Sequence, residues 1–475
     1  MFLRKVVVST AFLAFIVGCS TIRNAREAQQ EISGRGTGQK TGERSAKTDL
    51  RGYSLERLVD FAMTNRPTVV AARLAVEDAR LNLKTVAADA PLISSTPWTA
   101  PKLSVGGNYG ASSDASATRL GWHTEGSAAA ALSLDLLIWD FGRNAAEAEA
   151  AAEGVIAAEQ ELVREGYAVF DDVATAYFAV LEADALLEVR RTNEFNYAEH
   201  LRQAEDRLKA GEAQRLDVTR ARLDLSQARE ETVAASNLVV TAGAGLMRAL
   251  GIDAEGGTRD DVLLPLENSL EAVMQGFAAT TFTVDEAFAL ARTNAPAVAV
   301  ARARLRAASA RVDAAIADLL PSVSASASLN WTDPLWLWKW GFSASQSLFT
   351  GFRKTTAVDR SVVAMKSAAS AVDEAEQNLS LAVELAVAER DNAVVARTTA
   401  WESVKSAREN YATVKEQYRE GDVSRIDFTA AVSDLATAVG NCIRAYYRGQ
   451  VAEAKLFSIV GRVPAYSERK ITEAK

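Results

Sequence analysis

Histidine and cysteine are nearly absent, with two of each in 475 residues. Cys19 and Cys442 are too few for a disulfide framework. His123 and His200 lie far apart in dissimilar stretches, so no histidine-based metal or catalytic cluster is expected, and no cofactor. There is no excess of basic residues. The formal net charge is −8, which argues against a nucleic-acid-binding face. No phosphate-binding loop of the Walker type and no nucleophile elbow occurs, so neither an ATP-driven step nor an enzyme of the cell envelope is expected. The apolar run Val6 to Val17 is too short for a spanning helix. Proline is scarce, and none interrupts Asn144 to Lys209.

What is present is alanine and repetition. Apolar residues make up 48% of the chain, much of it alanine, which favours long helices. Tyr53-Ser54-Leu55-Glu56-Arg57 and Phe282-Thr283-Val284-Asp285-Glu286 open two matching passages. Asn65, Pro67 and Arg73 match Asn294, Pro296 and Arg302 at a spacing of 229. Arg143, Gly211, Asp217 and Gly251 match Arg353, Gly421, Asp427 and Gly461 at a spacing of 210. The chain is one long unit written twice.

Arg4 and Lys5, the apolar run and the sequence Ile16-Val17-Gly18-Cys19 read as an export signal over residues 1–18. Its end resembles the lipobox of bacterial lipoproteins, which implies lipidation of Cys19. Ser20 rather than aspartate follows, and in those lipoproteins this goes with the outer membrane. Residues 19–51 are polar and glycine-containing and read as a flexible tether.

Within each unit, Ser54 is placed to cap a first helix, and Thr283 with Glu286 forms a capping box at the same point. After a helical stretch the apolar period falls to two, giving strands at about 102–112 and 126–139, and at about 322–332 and 339–349. One face is apolar and the other is small or polar, the pattern of a membrane barrel; a soluble hairpin would give the same alternation. Seven of eight tryptophans lie in or beside these strands, with Trp336 and Trp338 expected in a loop. Aromatic residues collect at membrane interfaces. Four strands leave open edges that hydrocarbon does not tolerate, so several chains must share one barrel. Proline-free helices at 144–209 and 354–419 follow, with returning helices at 214–250 and 425–460. Val155, Leu162 and Val169, with Val173, Val180 and Leu187, hold heptad positions of a coiled coil about 100 Å long. The repeats span 52–251 and 282–461, with a linker at 252–281 and a polar tail at 462–475. His200, in a charged helical stretch, is expected to face solvent, and Cys442, among apolar neighbours, to be buried.

The ordered set of Asn-x-Pro, Pro-x-x-Ser, Asp140-Phe141-Gly142-Arg143 and Thr350-Gly351-Phe352-Arg353, twice in one chain, resembles the outer-membrane efflux proteins of the TolC family. The lipobox places the resemblance with the lipidated branch. It implies a mainly α fold with a transmembrane β-barrel contribution. Three chains would form a twelve-stranded barrel with a periplasmic helical tunnel. It also implies a passive export channel for drugs, toxic small molecules or metals in the outer membrane, with a periplasmic adaptor and an inner-membrane pump as partners. In that family the turns between long and returning helices form the periplasmic tip. Here those turns carry Gly211, Arg215 and Asp217, and Gly421, Arg425 and Asp427. Some relatives place two acidic residues one turn apart to ring the closed pore. Asp427 matches the first, and Ala430 stands at the second. For Asp217 and Asp427, stabilising a helix N-terminus is the competing role. A lipid-anchored periplasmic scaffold or adaptor is the competing function; it explains the helices and the lipid but not the tryptophan-bearing strands.

Overall fold

A computed structural model describes residues 23, 25–29, 54–89, 102–114, 123–211, 214–252, 283–332, 335–420 and 422–461. Cys19, Gly421, Trp98 and Trp122 fall outside them, as do most of the signal, tether, linker and tail segments. Residues 25–29 are helical and belong to a separate unit. Every described residue from 54 to 461 belongs to one compact unit.

That unit reads helix, helix, strand, strand, helix, helix, twice over. The first pass is α1 (Leu55–Asn65), α2 (Pro67–Ala88), β1 (Lys102–Asp114), β2 (His123–Trp139), α3 (Arg143–Lys209) and α4 (Arg215–Leu250). The second is α5 (Val284–Asn294), α6 (Pro296–Ala317), β3 (Ser322–Thr332), β4 (Leu335–Ser345), α7 (Arg353–Glu420) and α8 (Arg425–Val460). Pro67 and Pro296 each occupy the first turn of a helix, where a missing N–H costs no hydrogen bond. The Thr283–Glu286 capping box forms, with Glu286 N–H donating to Thr283 Oγ1 at 3.3 Å and Thr283 N–H to Glu286 Oε2 at 3.0 Å. Ser54 holds the same N-cap position, but its side chain makes no cap hydrogen bond.

The four strands form one antiparallel sheet in the order β1-β2-β3-β4, so the two hairpins join through β2 and β3. β4 begins at Leu335, earlier than the sequence suggested, and Trp336 and Trp338 are strand residues rather than loop residues. The Trp-Leu-Trp-Lys-Trp run alternates without a break, and pairing of Trp336 with Trp331 extends the ladder to the tip of the hairpin. Cross-strand rows keep the two faces chemically distinct. One runs Leu103, Leu134, Ala327, Trp340, and the next runs Ser104, Ser133, Ser328, Lys339.

Each long helix pairs with its own return helix, α3 with α4 and α7 with α8. The heptad residues Leu162, Val169, Val173, Val180 and Leu187 are buried. The repeats meet where α6 and α8 lie on α3, the latter through Leu186, Ile443 and Tyr447. A second core joins α5, α7 and α8 through Ala287, Val383, Val387 and Leu456. Cys442 is fully buried on α8.

Candidate functional site

Two regions carry features that packing alone does not explain: the sheet, and the ends of the two long hairpins. On one face of the sheet, β4 carries large, exposed side chains. Trp336, Trp338, Trp340 and Phe342 line β4 on that face, with Trp338 71% and Phe342 72% exposed. The other face is a ladder of serines. Ser104 and Ser133 hydroxyls are 2.5 Å apart, Ser324 and Ser343 2.9 Å, and Ser322 and Ser345 3.2 Å. Asp135, Lys102 and Lys339 share that polar face. Water would not leave so apolar an outer face uncovered. A hydrocarbon phase outside and water inside suit the two faces.

Where strand passes into helix, both repeats bend sharply. Phe141 and Phe352 hold left-handed backbone angles, φ 56° and 62°, which side chains with a Cβ rarely adopt. The buried Asp140 carboxylate accepts the Gly142 and Asn144 N–H groups, at 3.2 and 2.9 Å, and so starts α3. Asp318, at the end of α6, pairs with Arg143 at 3.2 Å and with Lys354 at 3.2 Å. One carboxylate thus ties together the starts of both long helices.

At the far ends, Gly211 follows α3 with φ 80°. Arg215 is exposed on the first turn of α4. The Asp217 carboxylate accepts the Gln214 N–H at 3.2 Å within a capping box. At the second hairpin the Ser424 hydroxyl donates to Asp427 Oδ2 at 2.6 Å and accepts the Asp427 N–H at 3.3 Å. Both aspartates therefore serve helix N-termini. Arg425 turns inward and pairs with Asp224 of α4 at 2.8 Å. This joins the two hairpins.

His200 is not solvated. It is 3% exposed on α3 and lies under the second hairpin turn. Its ring stacks on Phe428 of α8, with centroids 5.5 Å apart, and Phe428 stacks on Tyr418 of α7 at 4.7 Å. Burial pulls the His200 pKa below its ordinary 6.5, the Arg425 and Arg207 cations push the same way, and Asp224 opposes them. Sequence reasoning missed His200, Asp224, Tyr418 and Phe428. The signal was weak: a histidine among charged neighbours, whose apolar partners come from other helices. Among the described residues no three histidine, cysteine or acidic side chains group as metal ligands.

The profile described as outer membrane efflux protein matches residues 58–252 and 288–462, one stretch per repeat. No curated protein matches by sequence. Solved structures of similar fold include the following three. CusC, whose structures concern folding and transmembrane channel formation, superposes with a TM-score of 0.73 at 19% identity, covering 86% of this chain and 92% of that one. The CmeC outer membrane channel of Campylobacter jejuni gives 0.72 at 16%, covering 89% of each. The open-state MtrE outer membrane channel of Neisseria gonorrhoeae gives 0.70 at 19%, covering 86% and 88%.

Proposed function

Since the chain belongs to the outer membrane efflux protein family, we propose that three copies assemble into one channel that conducts small toxic compounds, drugs or metals outward. The family consists of outer-membrane efflux channels of tripartite systems, and such channels work with adaptor proteins and inner-membrane pumps. The observation that carries the trimer is the sheet. It has four strands, an aromatic outer face and a serine inner face, and β1 and β4 each pair on one side only among the described residues. A sheet edge in hydrocarbon leaves N–H and C=O groups unsatisfied at several kcal/mol each, so β4 of one copy must meet β1 of the next. Three copies close a barrel of about twelve strands, within the range of outer-membrane barrels.

The hairpin ends, with Gly211, Arg215, Asp217, Gly421, Arg425 and Asp427, are the periplasmic tip in this reading, where an adaptor docks and the tunnel narrows. The length of α3 and α7, 67 and 68 residues, supports it, since about 100 Å of helix reaches far beyond a bilayer. Cys19 carries the lipid that adds a second hold on the outer membrane.

Replacing residues 1–19 by a cleavable, non-lipidated export signal tests the barrel apart from the lipid. The mature protein should stay in carbonate- and urea-washed outer membranes, leave only with detergent, and run as a trimer. A soluble periplasmic product would mean that lipid alone held it, and the scaffold reading would replace the channel.

A further inference from the structure

The second hairpin turn is held against α3 by an aromatic stack with a titratable ring inside it. Tyr418 precedes the turn and Phe428 follows it, and both rings close over His200. Tyr411 also packs on Phe428, with ring centroids 6.3 Å apart. Nε2 of His200 lies 3.4 Å from the Tyr418 hydroxyl. Nδ1 is buried and has no hydrogen-bond partner among the described residues. A neutral imidazole tolerates this if Nδ1 carries no proton and Nε2 donates to Tyr418.

An imidazolium does not. Protonation would put a donor on Nδ1 with nothing to receive it, and a charge in a stack of rings. Charged groups face the site from three helices: Arg207 from α3, Asp224 from α4 and Arg425 from α8; α7 contributes the Tyr418 hydroxyl. Arg207 also lies over the Tyr418 ring, 5.2 Å from its centre. Asp224 is already paired with Arg425. An added proton thus meets two cations and one committed anion. An unpartnered buried donor next to like charge is expelled or pulls its surroundings open.

We propose that His200 is a proton-released latch: neutral, it holds the second hairpin turn onto α3, and protonated, it lets that turn go. The sign follows from burial and the two arginines. The released ring titrates near 6.5 and the latched ring lower, so the latched state binds fewer protons. Its stability is complete above about pH 6.5 and falls as pH drops from there toward the lowered value.

The consequence for the channel rests on the reading of these turns as the pore's closed end, whereas the latch itself does not. Two measurements keep them apart. Amide hydrogen exchange of residues 411–430 in the full-length trimer is compared at about pH 7.5 and about pH 5.5, corrected for intrinsic exchange and referenced to the Val383–Val387 core. Acid should speed exchange in 411–430 by about threefold or more relative to that core. His200→Phe keeps the stack without a titrating group and should abolish the acid effect. His200→Gln serves the same end should the phenylalanine variant fail to assemble. Equal acid sensitivity in wild type and variants, or none in wild type, would overturn the latch. Single-channel conductance is then read at the same two pH values. A rise in wild type alone extends the latch to the pore. An exchange response with flat conductance supports the latch and sinks only the placement of the closure at these turns.

Discussion

Helices α2 and α6 occupy the same place in the two repeats and have the same length, 22 residues each. Their surroundings differ. α6 lies between α3 and α7, whereas α2 packs on α3 and, among the described residues, has no comparable packing on α7. Ala303 on α6 is 0% exposed, and its counterpart Leu74 on α2 is 59% exposed. Ala310 is buried and its counterpart Leu81 is exposed. The long helices repeat the pattern, since α8 rests on α3 but α4, among the described residues, has no comparable packing on α7. The first repeat thus leaves apolar surface on α2 that its counterpart in the second repeat does not expose. In the proposed trimer, α2 and α4 of one chain lie along α7 of the next, and the seam that closes the sheet continues down the helices.

The largest effect should come from breaking that seam. A Leu74→Asp and Leu81→Asp double variant would place two charges in each of the three interfaces, where an unpaired buried charge costs several kcal/mol. Trimers should be lost on native mass measurement while the monomer keeps its helical signal. Ala303→Leu on α6 should do the opposite: crowding inside one chain costs about 1–3 kcal/mol and lowers the melting temperature, with trimers retained below it. A double variant that still forms trimers of wild-type stability would place the seam elsewhere.

A smaller effect sharpens the comparison at the helix ends. α4 ends on Gly251, φ 76°, and α8 on Gly461, φ 71°. Each seats against the Asn-x-Pro bend of its own repeat, which gives that motif a packing reason. A Cβ on Gly251 would come 3.1 Å from Arg66 Cα, and one on Gly461 2.7 Å from Asn294 Cβ. Alanine at either site costs about 1 kcal/mol for the left-handed backbone alone. The closer approach at Gly461 makes Gly461→Ala the more damaging of the two. Equal melting temperatures for both variants would show that the α5–α6 bend gives way without cost.

These differences also mark where sequence reasoning stops. Strand faces and helix lengths are legible, because alternation and heptads are local. The spacing of 229 residues placed Leu74 opposite Ala303, but nothing near either residue tells which one finds a neighbour. Ion pairs such as Arg143–Asp318 and Arg425–Asp224 join residues from different repeats and have no local signature. Ser54 and Thr283 are both good caps by residue type, yet only Thr283 is followed by a glutamate at the third helical position, and only it forms the box. His200 was misplaced because its burial is supplied by α7 and α8, far from it in sequence.

The two turn aspartates make the finest comparison. They match at a spacing of 210, and each occupies the third position of its helix. Asp217 is half-buried and bound to the Gln214 backbone, whereas Asp427 is exposed and bound to the Ser424 hydroxyl. Asparagine at either position keeps a hydrogen-bonding oxygen, so helix stability should fall by no more than about 0.5–1 kcal/mol. Charge at the pore is a separate matter. In the proposed trimer three exposed Asp427 carboxylates attract cations at the constriction, as acidic rings do in channels. Asp427→Asn should therefore weaken block of the conductance by divalent cations, and Asp217→Asn should leave it unchanged. Equal weakening in both variants would assign the block to the general charge of the tip. Unchanged block in Asp427→Asn would leave that carboxylate as a helix cap, with the same duty as its partner in the first repeat.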